Sequence, residues 1–125
     1  MHEKRIEIRW RDIDAYEHVN QAVYLTYLEE ALDDWLREVL GGVWHCVAGR
    51  VSIDYRAELR LEDREAVGTV RLERVGTKSV TVRAEIRAPD GRLAAEAEMV
   101  VVARDPATGE SRPLTKSERA AFEAA

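Results

Sequence analysis

A single cysteine, Cys46, stands in the whole sequence. No disulfide can close within the chain and no cysteine-based metal site can form, which suits a reducing compartment. Basic charge is scarce as well: 19 lysines and arginines face 24 aspartates and glutamates, for a net charge of -5. That balance argues against a general nucleic-acid binder, whose affinity comes from neutralising phosphates with a basic surface. No apolar run approaches bilayer length, and Met1-His2-Glu3-Lys4-Arg5 enters an alternating segment without the apolar stretch of a secretory signal. The expectation is a soluble, cytoplasmic protein with no membrane segment. No internal repeat or low-complexity linker interrupts residues 1–125, which read as a single domain with one core.

One long helical pattern stands out. Tyr24, Leu25, Leu28, Ala31, Leu32, Trp35, Leu36, Val39 and Leu40 recur at three- and four-residue steps, with Thr26, Glu30, Asp33, Asp34, Arg37 and Glu38 between them. The spacing predicts a helix over Ala22 to Leu40, roughly 28 Å long. Asn20 is placed to cap it, and Gly41-Gly42 to end it in the left-handed conformation that glycine tolerates.

The rest of the chain alternates. Ile6, Ile8 and Trp10 oppose Arg5, Glu7, Arg9 and Arg11 in a first strand, and Val51, Ile53, Tyr55, Ala57 and Leu59 form the apolar side of a second. Gly49 marks a bulge or a break that re-aims the strand in that second segment. Ala66, Gly68, Val70 and Leu72 predict a third strand, Val80, Val82, Ala84 and Ile86 a fourth, and Leu93 through Ala103 a fifth. Pro89-Asp90-Gly91 and Pro106-Ala107-Thr108-Gly109 are turn signals. Thr115, with Glu118 three residues on, caps a short helix over Lys116 to Ala124. Short connections predict an antiparallel meander from the second strand onward. The economical fold is α+β, a five-stranded antiparallel sheet wrapped around the long helix. One helix leaves edges uncovered, so a homodimer, or a dimer of dimers, is expected.

The stretch from Asp12 to Gln21 gathers the chemistry. Asp12-x-Asp14-x-x-x-His18-Val19-Asn20, followed by Tyr24 and Glu29 in a long helix and then by strands, resembles the hotdog-fold acyl-CoA thioesterases of the 4-hydroxybenzoyl-CoA thioesterase-like group. The likeness runs from the first strand to the turn at Asp105 to Gly109. It implies a hotdog fold, hydrolysis of an acyl-CoA thioester without a separate cofactor, and a site at a dimer interface. It places the family's catalytic aspartate on Asp14. Glu17 stands where the family has glycine, and Gln21 where it has a second asparagine.

The residue types suit that chemistry. Thioester hydrolysis needs a carboxylate, acting as nucleophile or as activator of water, and donors for the developing oxyanion. Asp14 offers the first, and free amides around Asn20 to Ala22 at the helix entrance offer the second. His18 and Asn20 are candidates for orienting the substrate, and Gln21 completes the motif. Glu17 brings a competing carboxylate, and Glu29 is a secondary catalytic candidate. Tyr24, Tyr27, Leu28 and Val51 are expected beside the acyl group, with Arg56, Lys78 and Ser79 as partners for the phosphates of CoA. His45 beside Cys46 has no second His/Cys cluster, so no metal site is expected. An acyl carrier protein substrate, a hotdog hydratase and a non-catalytic acyl-thioester binder are the alternatives.

Overall fold

A computed structural model describes residues 2–125. Five strands form one antiparallel sheet: β1 (His2–Glu7), β2 (Cys46–Tyr55), β3 (Glu65–Val75), β4 (Ser79–Arg87) and β5 (Leu93–Ala103). The long helix α1 (Gln21–Leu40) separates β1 from β2, and a short helix α2 (Lys116–Glu123) closes the chain. The α+β architecture expected from the alternation and from the family resemblance is therefore present.

Helix α1 starts where Asn20 Oδ1 accepts the Ala22 N–H at 2.9 Å, and it stops at Gly41, whose φ of 77° lies in the left-handed region. It buries Tyr24, Tyr27, Leu28, Ala31, Leu32, Trp35 and Leu36, and packs chiefly on β1, β3 and β4. The helix and β3 approach closely at Gly68, where a Cβ would lie 2.8 Å from that of Ala31.

The strand order is β1-β3-β4-β5-β2. Only β3, β4 and β5 make the expected meander; β2 does not form a hairpin with β3 but pairs with β5 at the opposite edge. The reason lies in residues 56–64. Leu59, fully buried, is pinned under the helix entrance: its N–H donates to the Tyr24 hydroxyl at 2.9 Å, and its carbonyl accepts the Val19 N–H at 2.8 Å. The chain thus leaves the β2 edge at Tyr55, passes beneath the start of α1 and re-enters beside β1. Ala57 and Leu59 accordingly lie beyond the end of β2. Of the bulge or break expected at Gly49, the structure has a register shift between Ala48 and Arg50, with the strand continuing through it.

The first strand is also shorter than its alternation suggests. A 3-10 turn at Trp10–Asp12 replaces its end, with Asp12 Oδ2 accepting the Arg9 N–H at 2.9 Å. Trp10, expected on the apolar face, is instead 81% exposed.

At the far end, the Thr115–Glu118 capping box starts α2 as expected. Phe122 packs against Trp35 and Trp44, while Glu118 receives hydrogen bonds from both Arg112 nitrogens and from the Trp44 indole N–H, each at 2.8 Å. Among the described residues no helix is long and apolar enough to cross a membrane.

Candidate active site

The loop between the 3-10 turn and α1 is a small ladder. Asn20 N–H donates to the Asp12 carbonyl at 2.8 Å, Ile13 and Val19 form a bridge, and Asp14 N–H donates to the His18 carbonyl at 3.1 Å. Residues 14–18 make its tip, where Asp14 Oδ1 accepts the Tyr16 N–H at 2.9 Å. Glu17 sits at φ 67°, so it holds the left-handed conformation that a glycine would adopt freely. The loop therefore keeps a glycine-type path, with the backbone strain carried by Glu17.

This loop forms one wall of an open cleft of about 570 Å³. Asp14, Tyr16, His18, Val19, Asn20, Gln21 and Tyr24 line that wall, and Tyr55, Arg56, Ala57 and Glu58 the other. The Tyr24 and Tyr55 rings meet edge to face with centroids 5.5 Å apart, and the Tyr55 hydroxyl donates to the Gln21 carbonyl at 3.1 Å. Burial pushes the Tyr24 phenol above its ordinary pKa, an effect opposed by the Leu59 N–H it accepts.

The helix entrance offers fewer free amides than its sequence suggests. Asn20 N–H is taken by Asp12 and Ala22 N–H by the Asn20 side chain, which leaves the Gln21 N–H without an acceptor among the described residues. That amide opens a twenty-residue helix, whose dipole favours negative charge there. The Asp14 side chain is 20% exposed, with His18 Nδ1 at 4.0 Å from its Oδ1. His18 Nδ1 also lies 3.3 Å from the Val19 carbonyl, and its ring stacks on Tyr16.

Of the sequence-expected residues, Asp14, His18, Asn20, Gln21, Tyr24 and Arg56 meet in this cleft. Glu17 and Glu29 are exposed and lie outside its lining. Lys78 and Ser79 are at the β3–β4 turn, which packs against the C-terminal segment through Leu114 N–H to Thr77 O and the Arg119 guanidinium to Gly76 O. Ser79 opens β4 at the end opposite the cleft, about 26 Å along the strand from Arg87. Tyr27 and Leu28 are core residues at 1% and 0% exposure, and Val51 is also outside the cleft lining. Tyr16, Tyr55, Ala57 and Glu58 are wall residues that sequence reasoning missed. Only the β2 position at the sheet edge brings Tyr55 to Gln21. Arg56 is engaged at the mouth with Glu96 at 3.5 Å and Asp54 at 3.8 Å. Among the described residues no group of three or more His, Cys, Asp or Glu side chains is arranged to hold a metal ion.

Comparison with known proteins finds relatives of this chain. The model of the thioesterase-like superfamily matches residues 8–122. The long-chain acyl-CoA thioesterase FadM of Escherichia coli K12 is 32% identical over 108 residues, covering 81% of each chain. Among solved structures, a Thermus thermophilus thioesterase complexed with coenzyme A and Zn is 29% identical, with a TM-score of 0.86 over 98% of this chain and 91% of its own. A DHNA-CoA thioesterase from Staphylococcus aureus shares the fold at a TM-score of 0.87, over 98% of this chain and 88% of its own, with only 16% identity.

Proposed function

Since the chain belongs to the thioesterase-like superfamily, we propose that it hydrolyses the thioester bond of an acyl-CoA, with Asp14 as the catalytic carboxylate and the Gln21 N–H as an oxyanion donor. The observation that carries this reading is their juxtaposition: Asp14 on the loop and Gln21 at the helix entrance, whose N–H has no acceptor among the described residues, line the same cleft. The relatives that act on or bind CoA compounds support the choice of substrate.

Two routes fit. As a nucleophile, an Asp14 oxygen bonds to the thioester carbonyl carbon and the thiolate of CoA leaves. Water then opens the resulting anhydride, giving the free acid and restoring Asp14. As a general base, Asp14 takes a proton from a water that attacks the same carbon, and the proton goes on to the departing thiolate. In both, negative charge builds on the carbonyl oxygen, where the Gln21 amide and the helix dipole stabilise it. His18 orients the thioester from the side of the loop, and Asn20 holds the helix entrance in place. The apolar rings of Tyr24 and Tyr55 contact the acyl group, and Arg56 at the mouth meets the charged end of CoA. Coenzyme A takes part only as a portion of the substrate.

The open edge of β2 completes the picture. Val47 and Tyr55 are 41% and 43% exposed there, and Tyr55 is also a cleft wall. A second protomer paired along this edge would cover both and narrow the cleft, so a homodimer is the working unit.

The test is release of free CoA from a panel of short, medium, long and aromatic acyl-CoAs. Wild-type turnover with a loss on the order of 100-fold or more in Asp14→Asn is the expected result. An Asp14→Asn protein that hydrolyses at the wild-type rate would remove the assignment. A change in double-bond absorbance without thiol release would point to hydration instead.

A further inference from the structure

Asp12 is the one charged side chain that the fold buries among the described residues, at 7% exposure. A carboxylate removed from water is costly unless its partners replace the lost hydration. Here a single oxygen takes both donors: Asp12 Oδ2 accepts from the Tyr27 hydroxyl at 2.7 Å and from the Arg9 N–H at 2.9 Å. Tyr27 is 1% exposed, and burial together with the adjacent carboxylate holds its phenol well above the ordinary value, so it stays a donor. An apolar pair of the same bulk would fill this space without the desolvation cost.

The connectivity shows what the polar pair does. Asp12 is the root of the loop ladder, because its carbonyl takes the Asn20 N–H, and Asp14 sits two residues up the same ladder. Tyr27 lies on α1, six residues beyond Gln21. A continuous path therefore runs from the Gln21 amide along the helix to Tyr27, across to Asp12, and up the ladder to Asp14. The Asp12–Tyr27 hydrogen bond is the side-chain link in that path.

We propose that the Asp12–Tyr27 pair is a positioning device: it fixes the Asp14 carboxylate relative to the Gln21 N–H, and neither of its residues touches the substrate. This rests on the assignment of Asp14 given above. A misplacement of about 1 Å between reacting groups is worth as much as 100-fold in rate, so a link of this kind acts on turnover more than on binding.

Tyr27→Phe removes one oxygen and leaves the ring. The expected result is a kcat lower by about tenfold with KM within about twofold of wild type. The same substitution made in the Asp14→Asn protein should leave its residual hydrolysis unchanged, whereas loss of folded enzyme would lower both backgrounds by the same factor. Asp12→Asn keeps an oxygen for both donors and should hold kcat within about threefold of wild type, while Asp12→Ala falls as Tyr27→Phe does. A Tyr27→Phe enzyme with wild-type kcat, or with equal fractional losses in the two backgrounds, overturns the proposal. Should Tyr27→Phe fail to fold, equal kcat in Asp12→Asn and Asp12→Ala overturns it instead. Full activity of Asp14→Asn would take down the catalytic assignment and this proposal together. An unaffected Tyr27→Phe beside an inactive Asp14→Asn takes down the positioning link alone.

Discussion

The backbone N–H of Glu17 donates to the carbonyl of Asp14 at 3.1 Å, in a turn that puts Glu17 at φ 67°. That conformation costs a residue with a Cβ about 1–2 kcal/mol, and glycine gives back part of the gain as chain entropy in the unfolded state. Glu17→Gly should therefore raise the unfolding free energy by about 0.5–1 kcal/mol, and Glu17→Val should lower it by about 1 kcal/mol. Because Glu17 is exposed and does not line the cleft, turnover in the glycine variant should match wild type. Urea melts and a thiol-release assay check both parts; equal stability of the three proteins would mean that the turn carries no strain.

Glu29 tests where the chemistry stops. It is exposed on α1 and apart from the cleft residues, although its place in the motif made it a secondary catalytic candidate. Exposed substitutions away from a site change free energies by about 0.5 kcal/mol or less, so Glu29→Gln should keep turnover within about twofold. A loss as large as that expected of Asp14→Asn would move the carboxylate chemistry to the helix.

Local signals carried most of the architecture, and non-local ones accounted for the errors. The limits of α1 were legible because Asn20 and Gly41 act on the adjacent turn, and β3, β4 and β5 because their short connections can only make hairpins. The partner of β2 was not legible, since it depends on Leu59 being pinned by Tyr24, thirty-five residues earlier. Trp10 leaves the apolar face because the Asp12 side chain caps Arg9 and bends the chain, which alternation cannot show. The same applies to the cleft. Asp14, His18, Asn20, Gln21 and Tyr24 are near one another in sequence and stay together, whereas Tyr55 joins them through the edge position of β2 and Glu58 through the crossing of residues 56–64. Lys78 and Ser79 carry groups suited to phosphate, but the length of β4 sets them apart from the cleft.

Gly68 and Ala31 set how closely α1 lies on the sheet. A methyl group at position 68 would fall 2.8 Å from the Ala31 Cβ, so Gly68→Ala should cost about 1–3 kcal/mol through overpacking. Ala31→Gly alone costs about 1 kcal/mol in helix propensity. Exchanging the two residues restores the total volume, so the double variant should be less destabilised than the sum of the single changes. A double-mutant cycle by denaturant unfolding measures this coupling; strict additivity would show that the helix simply moves away.

Acid should weaken the C-terminal lock. Two Arg112 hydrogen bonds, with smaller help from the Thr115 N–H and the Trp44 indole N–H, outweigh burial and draw the Glu118 carboxyl down to about 2 from its ordinary 4.5. Its pKa is thus lower in the folded chain than in the unfolded one, so between those values the unfolded state binds more protons. The stability it contributes is fully present above about pH 4.5 and drains away as the pH falls toward 2. In wild type the unfolding free energy should drop through this window more steeply than in Glu118→Gln, which has no proton to gain, and the two curves should converge near its lower end. Thermal melts from pH 6 to 2, read alongside the emission of Trp44 beside Phe122, follow both the global and the local event. Parallel curves for the two proteins would mean that Glu118 titrates alike in both states and that α2 is held by Phe122 packing rather than by the Arg112 pair.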